Sequence, residues 1–120
     1  MSGLRILVVE DHADSLTVTA KLLKLSGYEP AMANGYRAAL EAAAANDFDL
    51  VVSDIGLADG DGCDLIRALN RQYGLKGIAV TGSPEAMADG RCDGAGFISM
   101  IVKPFVFSQL IEEIQKAIPS

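Results

Sequence analysis

The chain has 120 residues, half of them hydrophobic, with a formal net charge of −6 and two cysteines. One domain spanning residues 1–120 can bury a core with that apolar share, which excludes a disordered segment, and the acidic balance excludes the clustered Lys and Arg of a direct nucleic-acid binder. No apolar run approaches the ~20 residues of a membrane span, and in the opening MSGLRILVVED charges follow the short apolar run directly, which is no secretory layout, so a cytoplasmic protein is expected.

In chain order, Ile6 to Val9 is a continuous apolar run, as in a strand buried on both faces. Ser15 to Leu25 carries Leu16, Ala20 and Leu23 at helical spacing and is stopped by Gly27. Glu29 to Ala33 is a weak strand, and Tyr36 to Ala45 an alanine-rich helix. Leu50 to Ser53 is another buried strand. Gly62 to Tyr73 places Leu65, Ile66 and Leu69 on one helical face and ends at Gly74. Ile78 to Val80 is a short strand. Pro84 to Asp93 predicts a fourth helix, weakened by Gly90 and with only Ala86, Met87 and Ala88 as an apolar patch. Phe97 to Val102 is a fifth strand, and Val106 to Ile118 the last helix. Alternating strands and helices predict an α/β fold, a five-stranded parallel sheet with helices on both faces and right-handed crossovers. Cys63 and Cys92 have no metal-binding or redox spacing, and a reduced pair is a simpler reading than a disulfide.

Chemistry in an open parallel sheet gathers outside the carboxyl ends of the strands. Those ends carry Glu10 and Asp11, then Asp54, then Thr81, then Lys103 followed by Pro104. Two carboxylates 4 Å apart repel by about 4 kcal/mol at an effective dielectric near 20. Three in one cleft therefore need positive charge. Lys103 supplies one unit, and a hard divalent cation such as Mg²⁺ would supply two more. An acyl phosphate formed on one of these acids would need such a cation and donors for its oxygens, for which Lys103 and the Thr81 hydroxyl are suited.

The acidic pair of ILVVED, the aspartate of VVSDIGLADGDG, the AVTG segment and the VKPF segment, in this order and spacing, resemble the receiver domain of two-component response regulators over essentially the whole chain. The resemblance implies a flavodoxin-like fold with strand order 2-1-3-4-5. It implies that Asp54 is the phosphoacceptor, served by a histidine kinase or a histidine phosphotransfer domain. Glu10, Asp11, Asp54 and the Gly56 backbone carbonyl would hold Mg²⁺ or Mn²⁺, Thr81 and Lys103 would bind the phosphoryl group, and the bond before Pro104 would be cis. Such a protein is a regulatory switch rather than an enzyme, catalysing only its own phosphotransfer and autodephosphorylation. Its output would be read on the fourth helix, fifth strand and fifth helix by a downstream effector or neighbouring domain, with no direct nucleic-acid or membrane contact. Three positions depart from the family: Ala58 stands where proline is common, Met100 where an aromatic residue or histidine switches rotamer, and the fourth helix contains glycine. The loop IGLADGDGCDLI and the segment AGFISMIVKPF resemble receivers attached to hybrid histidine kinases more than transcription-factor receivers, which leaves a stand-alone receiver and a piece of a hybrid kinase both open.

The remaining polar residues read more simply. Asp59 and Asp61 fit a solvated turn, with Asp61 capping the next helix, better than a calcium loop, because Cys63 and Asp64 stand where that loop needs an Asp or Asn and a Gly. His12 reads as an exposed loop residue, and Met87 and Met100 as core. Two other functions use the same fold. One is an interaction module that works without phosphate. The other is an aspartate-nucleophile phosphatase resembling the haloacid dehalogenases, which place an acid two residues after the nucleophile, where this chain has Gly56.

Overall fold

The computed structural model describes residues 3–84, 90 and 92–118. Its elements run β1 (Arg5–Val9), α1 (Ala13–Leu25), β2 (Glu29–Ala33), α2 (Tyr36–Ala45), β3 (Leu50–Asp54), the two-residue strands β4 (Gly56–Leu57) and β5 (Gly60–Asp61), α3 (Gly62–Tyr73), β6 (Gly77–Thr81), β7 (Phe97–Val102) and α4 (Phe107–Ala117). The main sheet has five strands in the order β2-β1-β3-β6-β7, every pairing parallel. Set aside the short β4–β5 hairpin, and this is the expected order 2-1-3-4-5. The hairpin is antiparallel and pairs Gly56 with Asp61 and Leu57 with Gly60.

Alternation along the inner strands divides the core in two. Ile6, Val8, Leu50, Val52, Ile78, Val80 and Ile101 pack toward Leu16 and Leu23 of α1 and Leu110 and Ile114 of α4. Leu7, Val9 and Val51 pack toward Ala39 and Ala43 of α2 and Leu65, Ile66 and Leu69 of α3. Each fully buried Leu or Ile contributes about 1.5–3 kcal/mol of transfer free energy. Both faces of β1, β3 and β6 are thereby covered, which is why Ile6–Val9, Leu50–Val52 and Ile78–Val80 are unbroken apolar runs.

Helix ends follow local chemistry. Asp61 is the N-cap of α3, its Oδ1 accepting the Cys63 N–H at 2.7 Å. Gly74 ends α3 in the left-handed region at φ 71°, where a Cβ would be strained. Asp59 is more than a solvated turn residue: its carboxylate accepts the N–H groups of Tyr36 at 2.6 Å and Arg37 at 3.1 Å, the first two helical residues of α2.

Two expectations are corrected. Cys63 and Cys92 form a disulfide rather than a reduced pair, across a sequence separation of 29. The fold brings the start of α3 beside the segment that leads to β7, a proximity that sequence spacing does not encode. Met100 is 44% exposed and so is not core, because it shares the outward-facing side of β7 with Ile98 and Val102. Most of the expected fourth helix, including Met87, lies outside the described residues.

Candidate functional site

The parallel sheet carries each strand's last residue to one edge. β1 delivers Glu10, β3 ends at Asp54, β6 ends at Thr81, and β7 hands over to Lys103. The Lys103 N–H donates to the Thr81 carbonyl at 2.8 Å, which fixes the lysine beside the end of β6. The Lys103–Pro104 peptide bond is cis.

Lys103 Nζ lies 2.9 Å from Asp54 Oδ2 and 3.1 Å from Glu10 Oε1, bridging the two acids. Both acids are buried, at 8% and 6% exposure, so their charges are poorly solvated. Burial pushes Asp54 up, a hydrogen bond shared with Glu10 pushes it further, and Lys103 opposes both, leaving it at about 7. Burial would also raise Glu10, but hydrogen bonds from Asp54, the His12 backbone, Lys103 and the His12 ring outweigh it and bring Glu10 down to about 2. The two carboxyls therefore behave as one unit that holds a single proton over the intervening range. Burial tends to lower Lys103, and its bonds to Asp54 and Glu10 overcome this, so the ammonium is held charged.

Asp11 faces outward. Its Oδ2 accepts the Ala58 N–H at 2.9 Å, tying the acidic pair to the β4–β5 hairpin, and its Oδ1 lies 3.4 Å from His12 Nδ1. His12 Nδ1 is also 3.2 Å from Glu10 Oε2, and the same oxygen accepts the His12 backbone N–H at 3.0 Å. One ligand atom from each of Glu10, Asp11, His12 and Asp54 falls within a span of 4.8 Å. Thr81 Oγ1 accepts the Ser83 N–H at 3.0 Å. A cleft of about 240 Å³ is lined by His12, Asp54, Gly56, Thr81, Ser83 and Lys103 among others. Gly56 is exposed in the hairpin, its backbone open to that cleft.

Every residue expected at the site therefore lies at this edge except Met100, which sits on β7 two residues from its end. His12 is an exposed loop residue as expected, its ring also reaching Glu10 and Asp11, whereas Ser83, whose N–H meets Thr81, was passed over. The loop is set from below by Gly62: a Cβ there would overlap the Asp54 carbonyl oxygen and crowd Ile55 Cα, both rigid backbone atoms.

A family profile described as the response regulator receiver domain matches residues 6–115. The transcriptional regulatory protein PrrA of Mycobacterium tuberculosis is 34% identical over 113 residues, covering 92% of this chain and 48% of that protein. The chain spans from about 50% down to 16% of the length of such curated relatives. Among solved structures, a CheY-like response regulator receiver domain protein from Methanospirillum hungatei superposes with a TM-score of 0.89 at 31% identity, covering 97% of this chain and 94% of the other. The response regulator TrrA from Thermotoga maritima, solved in complex with Mg(2+)-BeF, has a TM-score of 0.85 at 26% identity, covering 96% and 99%. These matches run the length of the sheet and take in all four strand ends at the acidic edge, and the chain accordingly belongs to the receiver domain family of two-component response regulators.

Proposed function

We propose that the chain is a phosphorylation-dependent switch in a two-component phosphorelay, residues 1–120 acting as one cytoplasmic receiver unit. Asp54 accepts the phosphoryl group of a phosphohistidine on a histidine kinase or phosphotransfer domain. The phosphorus–nitrogen bond breaks as the bond from an Asp54 oxygen to phosphorus forms, and the released imidazole takes up a proton. The observation that carries this reading is the setting of Asp54: a buried carboxylate at the end of the central strand, bonded to Lys103, within ion-sharing distance of Glu10 and Asp11.

The donor set fits a divalent cation. Glu10, Asp11 and Asp54 offer hard oxygen ligands, as Mg²⁺ or Mn²⁺ prefers, and Gly56, which lines the same cleft, would add its backbone carbonyl. The complex of TrrA with Mg(2+)-BeF supports the same assignment. A bound cation would offset the charge that builds on the phosphoryl oxygens. Lys103 would move from the two acids to a phosphoryl oxygen, and Thr81 would exchange the Ser83 N–H for a hydrogen bond that its hydroxyl donates. That exchange biases a two-state equilibrium only because each state has different contacts. Its readout would be β7, α4 and the segment between β6 and β7, with Met100 in place of an aromatic switch residue. Slow hydrolysis of the acyl phosphate by the same site would reset the switch, and an effector or neighbouring domain in a longer chain would receive the signal.

Incubation with Mg²⁺ and acetyl phosphate tests the reading. Mass spectrometry should show one acid-stable, base-labile phosphoryl adduct that is lost in Asp54→Asn. An adduct that persists in the variant refutes the site. A wild-type protein that never labels yet still binds its partners is instead an interaction module.

A further inference from the structure

We propose that Cys63 and Cys92 form a thiol–disulfide exchange site, and that the bridge between them clamps the segment leading into β7 against the phosphoacceptor loop, so that thiol reductants release the switch. The inference rests on the reading of the chain as a cytoplasmic phosphoacceptor and adds a form of regulation to it.

The bridge sits where the switch works. Cys63 lies in the first turn of α3, and the N–H of its neighbour Gly62 donates to the Ile55 carbonyl at 2.7 Å. Ile55 directly follows Asp54, and its own N–H donates to the Val80 carbonyl at 3.2 Å. Ile55, Cys63, Ala79 and Cys92 are buried together in one small cluster, with Phe97 at its margin. Cys92 stands shortly before β7 in a run of local turns: the Asp93 N–H donates to the Gly90 carbonyl at 2.9 Å and the Ala95 N–H to the Cys92 carbonyl at 3.1 Å. The covalent ring closed by the bridge therefore runs through α3, all of β6 and the strand-end Thr81. With the bridge closed, Thr81 is in its resting contact, its hydroxyl accepting the Ser83 N–H.

Its setting marks the bridge as a regulator rather than a staple of the core. The two large core clusters, one on each face of the sheet, contain neither cysteine, so both layers stay packed when it opens. A cytoplasmic thiol pool keeps cysteines reduced, and the disulfides that do form there are mostly transient and redox-sensing. These are the chain's only two cysteines, so no third thiol competes for either sulfur. Cys92 is the less buried, at 9% exposure against 2%, and offers its sulfur for attack. A reductant thiolate attacks Cys92 Sγ, the sulfur–sulfur bond breaks, and Cys63 leaves as a thiolate that takes up a proton. A second thiol, on the same reductant or another molecule, resolves the mixed disulfide and frees the Cys92 thiol. The protein gains two electrons and two protons, and the two reductant sulfurs leave as a disulfide.

Coupling to the switch follows from its two states. With the bridge closed, Cys92 is held beside Cys63, their Cα atoms 5.1 Å apart, and the segment that follows Thr81 cannot travel with it. The switched arrangement is then raised in free energy, while the resting one already fits the bridge. Opening the bridge unties that segment from α3. Because such coupling is reciprocal, a phosphoryl group on Asp54 must in turn favour the open bridge.

The intact chain is equilibrated in graded mixtures of reduced and oxidised glutathione, with and without Mg²⁺ and beryllium fluoride as a phosphoryl mimic, and free thiols are counted by alkylation and mass spectrometry. The mimic should move the equilibrium between closed and open bridge toward the open form by about fivefold or more, and Asp54→Asn should abolish that movement. Oxidised and reduced protein should differ in affinity for the mimic by the same factor, and Cys92→Ser should bind it as the reduced protein does at every glutathione ratio. A purely structural staple predicts the opposite sign, since a ligand of the folded state holds the bridged fold. An equilibrium that stays put or moves toward the disulfide while the mimic binds, a Cys92→Ser protein that binds like the oxidised one, or two cysteines that remain free at every ratio would each overturn the proposal. Failure of the phosphoacceptor reading looks different. Acetyl phosphate and the mimic then leave both oxidised and reduced protein untouched while the bridge still titrates, which overturns that reading and the clamp's link to it but not the exchange site.

Discussion

Replacing Asp54 by Asn should stabilise the metal-free protein above neutral pH. Asp54 is raised from 3.8 to about 7, so its charged form is disfavoured in the fold. A carboxyl whose folded value lies above its unfolded value costs stability as pH rises from about 4 to about 7, after which the loss levels off. The neighbouring Glu10 is displaced the other way, to about 2, so its contribution changes only below about 4.5 and is constant across that window. The interval from 3.8 to about 7 corresponds to about 4 kcal/mol at 1.36 kcal/mol per pH unit. Water reaching the cleft and the partly exposed Lys103 screen this to about 1–2 kcal/mol. Asn keeps the shape and the bond to Lys103 but cannot ionise. In urea denaturation with a chelator present, wild type should lose about 1 kcal/mol between pH 5 and pH 8, the rest of the loss falling below pH 5, while Asp54→Asn stays flat. Added Mg²⁺ should restore the wild type and leave the variant unchanged. A wild-type stability that does not fall over this range, or a variant less stable than wild type at pH 8, would refute the idea that unrelieved charge is stored at Asp54.

Three further outcomes follow from the fold. Reducing the disulfide, or Cys63→Ser, opens a loop of about 30 residues and should cost about 3–4 kcal/mol by the loop-closure relation, measured by denaturation with and without reductant; equal midpoints would mean that the bond does not constrain the unfolded chain. Gly62→Ala drives a Cβ into the Asp54 carbonyl, and it should cost about 1–3 kcal/mol and slow labelling by acetyl phosphate, whereas full labelling at wild-type stability would show that the backbone yields there. The Asp59 carboxyl is held below its usual value by the Tyr36 and Arg37 N–H groups, so what it contributes is present above the unfolded value and is lost as pH falls through the folded one. Asp59→Asn should accelerate amide exchange at Tyr36 and Arg37 near neutral pH, and unchanged exchange would show that the carboxylate does not hold the start of α2.

The inner strands could be read from the sequence because both faces of the sheet are covered, which makes Ile6 to Val9 and Leu50 to Val52 unbroken apolar runs. Helix faces were equally plain, as Leu65, Ile66 and Leu69 are all fully buried. The acids and the lysine of the site were found by a rule about strand ends, which depends on position alone. What stayed hidden depends on contacts through space. Two-residue strands such as Gly56–Leu57 are too short for any periodicity, and the bond of Asp59 to α2 spans 23 residues of chain. The pairing of Cys63 with Cys92 required knowing that the start of α3 lies beside the segment that leads to β7. Met100 read as core because methionine is usually buried, but an edge strand has one side without a neighbour.

The bond from the Ala58 N–H to Asp11 bears on the missing proline. A proline at 58 would stiffen the hairpin by fixing its own φ, but it has no N–H to give. With alanine, the hairpin is held instead by a removable anchor, one oxygen of an acid that also belongs to the carboxylate cluster at the sheet edge. Anything that draws Asp11 Oδ2 away exchanges that anchor for freedom of the hairpin. The amide of residue 58 is thus a built-in gauge of how Asp11 is engaged, and its protection from solvent exchange reports the state of the cleft from outside it.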